Sequence, residues 1–202
     1  MKNTISFLVS FLFLESQFLY AADLPSGENV VAGNISISSS DNAMTITQSS
    51  PQSIIEWNSF DIGMENSVTF NQPSINASAL NRVISGNPTT LAGSLNANGK
   101  VFVVNENGVY FTPTSTISAH SFGASTLALS NDDFLNNKFL FKADDKDNIF
   151  SSIIHKGSIT TLDGGFTALL GGAINNEGTI NANLGKIGIG AGKEITLDLS
   201  GD

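Results

Sequence analysis

Residues 153–199 read IIHKGSITTLDGGFTALLGGAINNEGTINANLGKIGIGAGKEITLDL. Within this stretch Ile153, Ile174 and Ile195 stand 21 residues apart, and Gly157-Ser158-Ile159 returns as Gly178-Thr179-Ile180 at the same interval of 21. A fixed period of this length, with one buried isoleucine and one glycine turn per repeat, is what a rung of a β-solenoid requires. Each rung points aliphatic side chains inward and hydrogen-bonds to the rungs above and below, about 4.8 Å away. A lone rung cannot bury its apolar face. If each contributes two or three Ile or Leu side chains worth roughly 1.5–3 kcal/mol apiece, stability accumulates rung by rung. Gly164-Gly165, Gly171-Gly172 and Gly185 are expected at corners. Asn175-Asn176, Asn181 and Asn183 are expected at turns, stacking between rungs.

The rest of the chain fits the same class. Short apolar runs recur between Gly, Asn and Asp punctuation, among them Ile35–Ile37, Met44–Ile46, Ile54–Trp57, Val68–Phe70, Val101–Val104, Val109–Phe111, Leu127–Leu129 and Phe139–Phe141. Long runs of helix formers are missing, so the chain reads as strand and turn throughout. Because an open solenoid exposes sheet edges at its ends, the less repetitive segment 23–70 is expected to supply an amino-terminal β cap, with rungs over 71–202. The rhythm breaks at 131–148, where Lys142-Ala143-Asp144-Asp145-Lys146-Asp147 suggests a hairpin that leaves the helix and carries a solvated loop. The chain stops at Leu199-Ser200-Gly201-Asp202 without a second cap, as expected of the front part of a longer solenoid or of a truncated copy of one.

At the other end, Lys2 precedes the apolar run Ile5–Leu14 and then Ala21-Ala22. The run is shorter than the ~20 apolar residues of a spanning helix, so 1–22 reads as a signal peptide cut after Ala22 and 23–202 as one domain. Loss of Lys2 and Glu15 removes one charge of each sign and leaves the net charge at −9, which argues against a nucleic-acid partner. The chain has no cysteine. An exported protein without cross-links must be held by packing and backbone hydrogen bonds alone.

Catalytic chemistry is poorly provided for. His120 and His155, the two histidines, lack neighbouring His or Cys partners, and no serine-hydrolase or zincin motif occurs. Asp144, Asp145 and Asp147 lack the spacing of a calcium loop, so neither a metal nor another cofactor is expected. Gly188-Ile189-Gly190-Ala191-Gly192-Lys193 echoes a phosphate loop, but Ile187 and Glu194 stand where Gly and Ser or Thr are needed, and the run reads as a solenoid corner. A polysaccharide-lyase-like β-helix is the strongest enzyme alternative. Arg82, the one arginine, has no carboxylate within ten residues on either side to support it.

Several segments, taken in order, resemble one family. Ser53-Ile54-Ile55-Glu56-Trp57-Asn58-Ser59-Phe60-Asp61-Ile62-Gly63, Val68-Thr69-Phe70, Leu80-Asn81-Arg82-Val83, Leu91-Ala92-Gly93-Ser94-Leu95, Gly99–Val109 and Ser121–Leu127 are similar to the amino-terminal secretion domain of filamentous-haemagglutinin-type two-partner-secretion exoproteins. The family's Asn-Pro-Asn-Gly signature stands here as Asn105-Glu106-Asn107-Gly108. Proline would pre-set the turn's φ, so Glu106 is expected to loosen it.

The resemblance implies an all-β, right-handed parallel β-helix that is secreted across both membranes to the cell surface or medium. It implies recognition by an outer-membrane Omp85-type transporter, whose periplasmic domains accept extended segments as added strands. The implied role is secretion targeting and fold nucleation for a large adhesin-like exoprotein. Candidate recognition residues are Asn105, Glu106, Asn107, Gly108, Asn81 and Arg82, with Trp57 and Phe60 as core of the cap. The alternative is direct binding of a host glycan or host protein. A monomer is expected.

Overall fold

The computed structural model describes residues 24–143 and 151–198. The proposed signal peptide, 1–22, lies outside the described residues, as do Asp144, Asp145 and Asp147. In chain order the strands are β1 (Asn29–Ala32), β2 (Ile35–Ser39), β3 (Ala43–Gln48), β4 (Gln52–Trp57), β5 (Ser67–Asn71), β6 (Ser78–Val83), β7 (Thr89–Leu91), β8 (Ser94–Ala97), β9 (Lys100–Val104) and β10 (Val109–Phe111). Then follow β11 (Thr116–Ala119), β12 (Ser121–Ser125), β13 (Ala128–Leu129), the one-turn helix α1 (Asn131–Leu135), β14 (Leu140–Lys142), β15 (Ser152–His155) and β16 (Ser158–Thr161). The last are β17 (Phe166–Gly171), β18 (Ala173–Asn176), β19 (Thr179–Ala182), β20 (Lys186–Ala191) and β21 (Glu194–Thr196).

These strands wind into a parallel β-helix with three faces. Sheet I runs β4-β6-β9-β12-β17-β20, sheet II runs β3-β5-β8-β11-β16-β19, and sheet III runs β7-β10-β15-β18. β1 closes sheet I and β2 closes sheet II, both antiparallel. The parallel ladder thus already includes β3 and β4, and the antiparallel closure is shorter than the expected cap of 23–70. The early rungs hid because their repeat is longer: Ala43 aligns with Ser67 and Gln52 with Ser78.

The 21-residue period is the register of sheets II and III over the last rungs, whereas sheet I steps by 20, from Phe166 to Lys186. Ile153 lies beside Ile174, and Ile159 beside Ile180. Their inward column continues the interior core of Val109, Leu95, Ile117 and Phe111. Ile195 departs from the pattern: it lies in β21 opposite Phe141, off the helix. Asn175, Asn176 and Asn181 are strand residues rather than turn residues. Gly188 and Gly190 sit within β20, so only the end of the Gly188–Lys193 run forms a corner.

The excursion leaves the helix as expected, and its described part packs back onto sheet I; the charged loop beyond Ala143 lies outside the described residues. Ser130 caps α1 by accepting the Asp133 N–H at 3.1 Å, and β14 pairs antiparallel with β13 on one side and β21 on the other. Together they lay Phe134, Phe139 and Phe141 over the outer face of sheet I, where Ile54, Leu80, Phe102, Val104 and Leu170 form a second core. The Phe102 ring stacks on Phe139 with centroids 5.2 Å apart and meets Phe134 edge-on at 6.0 Å. The middle strands of sheet I, β9, β12 and β17, are therefore buried on both faces. That accounts for the unbroken apolar run Val101–Val104, whose Val101 and Val103 face inward and Phe102 and Val104 outward.

Candidate functional site

The signature segment forms the corner between β9 and β10. Gly108 N–H donates to the Asn105 carbonyl at 3.1 Å, closing a four-residue turn with Glu106 at its second position. Gly108 carries φ +129, open to glycine and costly for other residues. Asn105 is fully buried and organises the corner with every polar atom of its carboxamide. Its Oδ1 accepts the Asn107 N–H at 2.9 Å and the Asn107 Nδ2 at 3.2 Å, while its Nδ2 donates to the Asn87 carbonyl and to Thr89 Oγ1, both at 2.9 Å. Asn107 Nδ2 also donates to the Ser85 carbonyl at 2.8 Å. Two asparagines thereby pin this corner onto the corner of the preceding rung.

This pinning uses up the backbone. The N–H of Asn105 donates to Ser125 O, that of Asn107 to the Asn105 side chain, and that of Gly108 to Asn105 O. In the folded chain, then, these three groups are not available to an added strand. Glu106 is partly exposed, and the turn closes with it in place of proline.

The other candidates lie elsewhere. Asn81 is wholly inside the helix, where its Oδ1 accepts the Trp57 indole N–H at 3.1 Å and its Nδ2 donates to the Phe102 carbonyl at 3.2 Å. Trp57 and Phe60, both fully buried, meet edge to face at 5.5 Å. Arg82 points the other way. Its Nη2 donates to the Leu129 carbonyl at 2.6 Å and its Nη1 pairs with Glu56 at 3.4 Å, so it struts the excursion against sheet I. Reasoning from sequence missed Ser85, Asn87 and Thr89, the acceptors beneath the turn. Their signal is the pairing of Thr89 with Val109, which sets Asn87 one rung below Asn107.

Among the described residues no group of three His, Cys, Asp or Glu side chains could hold a metal ion. His155 is buried beside Phe111, its Nδ1 2.7 Å from Asn176 Oδ1; burial holds its pKa below the usual value, against the opposing effect of that hydrogen bond. His120 is held low by burial and by the nearby charge of Lys100. Arg82 is committed to Glu56 and to the Leu129 carbonyl.

Comparison with known proteins gives a consistent picture. A family model described as the TPS secretion domain matches residues 21–201. A heme/hemopexin-binding protein of Haemophilus influenzae is 38% identical over 204 residues, which cover 98% of this chain and 22% of that protein. A second heme/hemopexin-binding protein of Haemophilus influenzae is 36% identical over 146 residues, 72% of this chain and 16% of its own. The chain thus spans about a fifth of the relatives it matches. The crystal structure of the HMW1 secretion domain from Haemophilus influenzae superposes with a TM-score of 0.81 at 36% identity, over 85% of this chain and 46% of that one. The filamentous hemagglutinin secretion domain matches with a TM-score of 0.53 at 14% identity, over 86% of this chain and 64% of that one, a likeness of fold.

Proposed function

Because the chain belongs to the TPS secretion domain family, we propose that it targets a larger exoprotein to an outer-membrane Omp85-type transporter and nucleates folding of that exoprotein on the far side. The observation that carries this reading is the family match over 21–201, on a solenoid whose rungs stack in register. We place recognition at Asn105–Gly108 and in the chain before it folds. In the folded corner the N–H groups of Asn105, Asn107 and Gly108 are spent internally, whereas an extended chain offers them to a sheet edge. Asn81 and Arg82 then serve the folded state, one in the interior and one as a strut.

Folding after export also gives the process a direction. Each rung that closes buries interior side chains, so a chain emerging amino terminus first is drawn outward as rungs accumulate. Removal of 1–22 at the inner membrane, by signal cleavage, belongs to the same route. The activity of the exoprotein resides in the rest of its length. The relatives that bind heme or hemopexin suggest a host-derived ligand for it.

Export of this chain with its transporter co-expressed tests the reading. Wild type is expected in the medium or at the cell surface, with Asn107→Ala reduced and deletion of Asn105–Gly108 retained in the periplasm. Unchanged export of both variants moves recognition elsewhere, and export without any transporter overturns the two-partner route. Because the deletion also removes a folded-state corner, periplasmic accumulation is scored by total protein rather than by folded protein.

A further inference from the structure

Asparagine followed by glycine is the pair at which a peptide chain most readily attacks itself, because the following residue has no Cβ to hinder the approach of its backbone nitrogen to the asparagine carboxamide. The chain holds two such pairs, Asn98-Gly99 and Asn107-Gly108. The second lies in the corner between β9 and β10, where the fold engages both reacting groups. Asn107 Nδ2 donates to the Ser85 carbonyl at 2.8 Å and to Asn105 Oδ1 at 3.2 Å, which ties the carboxamide back to Asn105 and to the preceding rung. The nitrogen that would attack belongs to Gly108, and its N–H closes the turn on the Asn105 carbonyl at 3.1 Å. Gly108 is itself buried.

From this geometry we propose that Asn107-Gly108 is a self-modification site that is open only while the chain is unfolded, with water as its co-reactant and loss of the side-chain amide as its outcome. The Gly108 nitrogen, having given up its proton to solvent base, bonds to Asn107 Cγ. The Cγ–Nδ2 bond breaks and ammonia leaves, giving a cyclic imide. Water then opens the ring. Addition at Cγ gives aspartate at position 107, and addition at the main-chain carbonyl gives isoaspartate, in which the chain runs on through Cγ. Nothing is oxidised or reduced: water is taken up and ammonia released.

Neither product rebuilds the corner. A carboxylate at position 107 has no hydrogen to give, so it would set its oxygens against the Ser85 carbonyl and Asn105 Oδ1, both of them acceptors that the amide now serves. Isoaspartate also adds a methylene to the main chain inside the turn from Asn105 to Gly108, whose closing bond depends on the spacing of a four-residue turn. Closure of the turn and loss of the amide therefore exclude each other. A chain that folds promptly locks Asn107. One that waits unfolded, as the chain before export does in the route proposed above, accumulates a mark that bars this corner from closing. The exclusion itself belongs to the chain alone, so it stands or falls separately from the transporter reading.

Peptide mapping reads the site directly. Trypsin cuts after Arg82, Lys100 and Lys138, so Asn98 and Asn107 fall in separate peptides, 83–100 and 101–138. The chain is held at one mildly alkaline pH in native buffer and in urea, with no transporter present, and aspartate and isoaspartate at each position are followed with time. In urea both positions are expected to react at comparable rates, Asn98 verifying that the conditions support the chemistry. In native buffer the rate at Asn107 is expected to be slower by about tenfold or more, because the reaction proceeds only in the fraction of molecules whose corner is open. A smaller ratio overturns the protection. The incompatibility of the product is tested by Asn107→Asp, which carries the charge without the added methylene. Its urea midpoint is expected to lie below that of wild type, and a midpoint equal to wild type overturns the claim that the modified corner cannot close.

Discussion

The indole N–H of Trp57 reaches the carboxamide oxygen of Asn81 at 3.1 Å inside the solenoid, one rung apart. Asn81 in turn donates to the carbonyl of Phe102 on the next strand, so one polar side chain links three rungs inside the solenoid. Asn81→Ala would leave a buried N–H and a buried C=O without partners, each costing about 1–3 kcal/mol. Trp57→Phe removes one donor and leaves one acceptor, and should cost less. Urea unfolding checks the order: Asn81→Ala is expected to lower the midpoint more than Trp57→Phe, followed by circular dichroism because Trp57 is the one tryptophan.

Gly123 is set by the excursion rather than by its own backbone. A Cβ there would lie 2.5 Å from Phe102 Cδ1, in the outer core. Gly123→Ala must push Phe102 off Phe139 and is expected to cost about 1–3 kcal/mol by overpacking. Gly86→Ala, where a Cβ meets nothing within 4 Å, serves as the neutral comparison in the same unfolding assay. Equal midpoints for the two variants would remove the outer core as a source of stability.

His155 carries a pH dependence of fixed sign. Burial lowers its folded-state pKa below the ordinary histidine value near 6.5, so the folded state favours the neutral ring. The stability this ring contributes is complete above the unfolded pKa and is lost as pH falls through 6.5 toward the folded value. Nearby, Asn176 bonds its Nδ1, Phe111 meets its face, and Gly178 leaves room for Cε1, where a Cβ would stand 2.6 Å away. No protein group bonds Nε2, which a second proton would need. Unfolding midpoints from pH 7 to 5 should fall more steeply for wild type than for His155→Gln, measured in a His120→Gln background because His120 is also held low.

How much of this was legible beforehand differs by element. Ile153 and Ile174 announced the fold because a solenoid repeats its inward positions at the length of its own rung. Ile195 keeps the spacing of 21 yet sits opposite Phe141, because sheet I has already slipped to a step of 20 and the chain leaves the helix after Gly192. Leu80 and Asn81 invert the usual rule: the leucine faces outward under the excursion and the asparagine inward to Trp57. Phe134, Phe139 and Phe141 share no period with the rungs they cover, so their roof over Phe102 could not be read from spacing. At the candidate site, Asn105 and Asn107 were readable as turn formers, whereas their hold on Asn87 and Ser85 depends on stacking between rungs.

The Asn105 corner separates a folding role from a recognition role. Asn105→Ala removes both donations of Nδ2, to Asn87 O and Thr89 Oγ1, and strips the Asn107 N–H of its acceptor. The expected loss is roughly 2–4 kcal/mol, from two to three buried hydrogen bonds at about 1 kcal/mol each plus an unsatisfied donor. Asn105→Asp keeps the acceptor and loses the two donations, and should fall between. If stability and export track each other across wild type, Asp and Ala, the corner matters by folding alone; an Asp variant that unfolds readily yet exports normally assigns export to the acceptor that the chain presents.

Arg82 supplies a last test, of the strut that holds the excursion. Its Nη2 bond to Leu129 O, at 2.6 Å, is charge-assisted and partly buried, a class worth about 1.5–3 kcal/mol. The Glu56 pairing is longer, 3.4 Å, and both side chains keep some solvent, 17% and 25%, which limits it to under about 1 kcal/mol. Arg82→Met, which preserves the apolar stem over sheet I, is therefore expected to loosen the segment around Leu129 far more than Glu56→Gln does. Limited proteolysis separates the two: Arg82→Met should be cut between Leu127 and Lys142 under conditions that leave wild type and Glu56→Gln intact. Since the Phe102 cluster lies beneath that segment, the cut chain should also bind a hydrophobic dye that the intact chain excludes. Resistance of Arg82→Met equal to that of wild type would show that the aromatic packing alone holds the excursion in place.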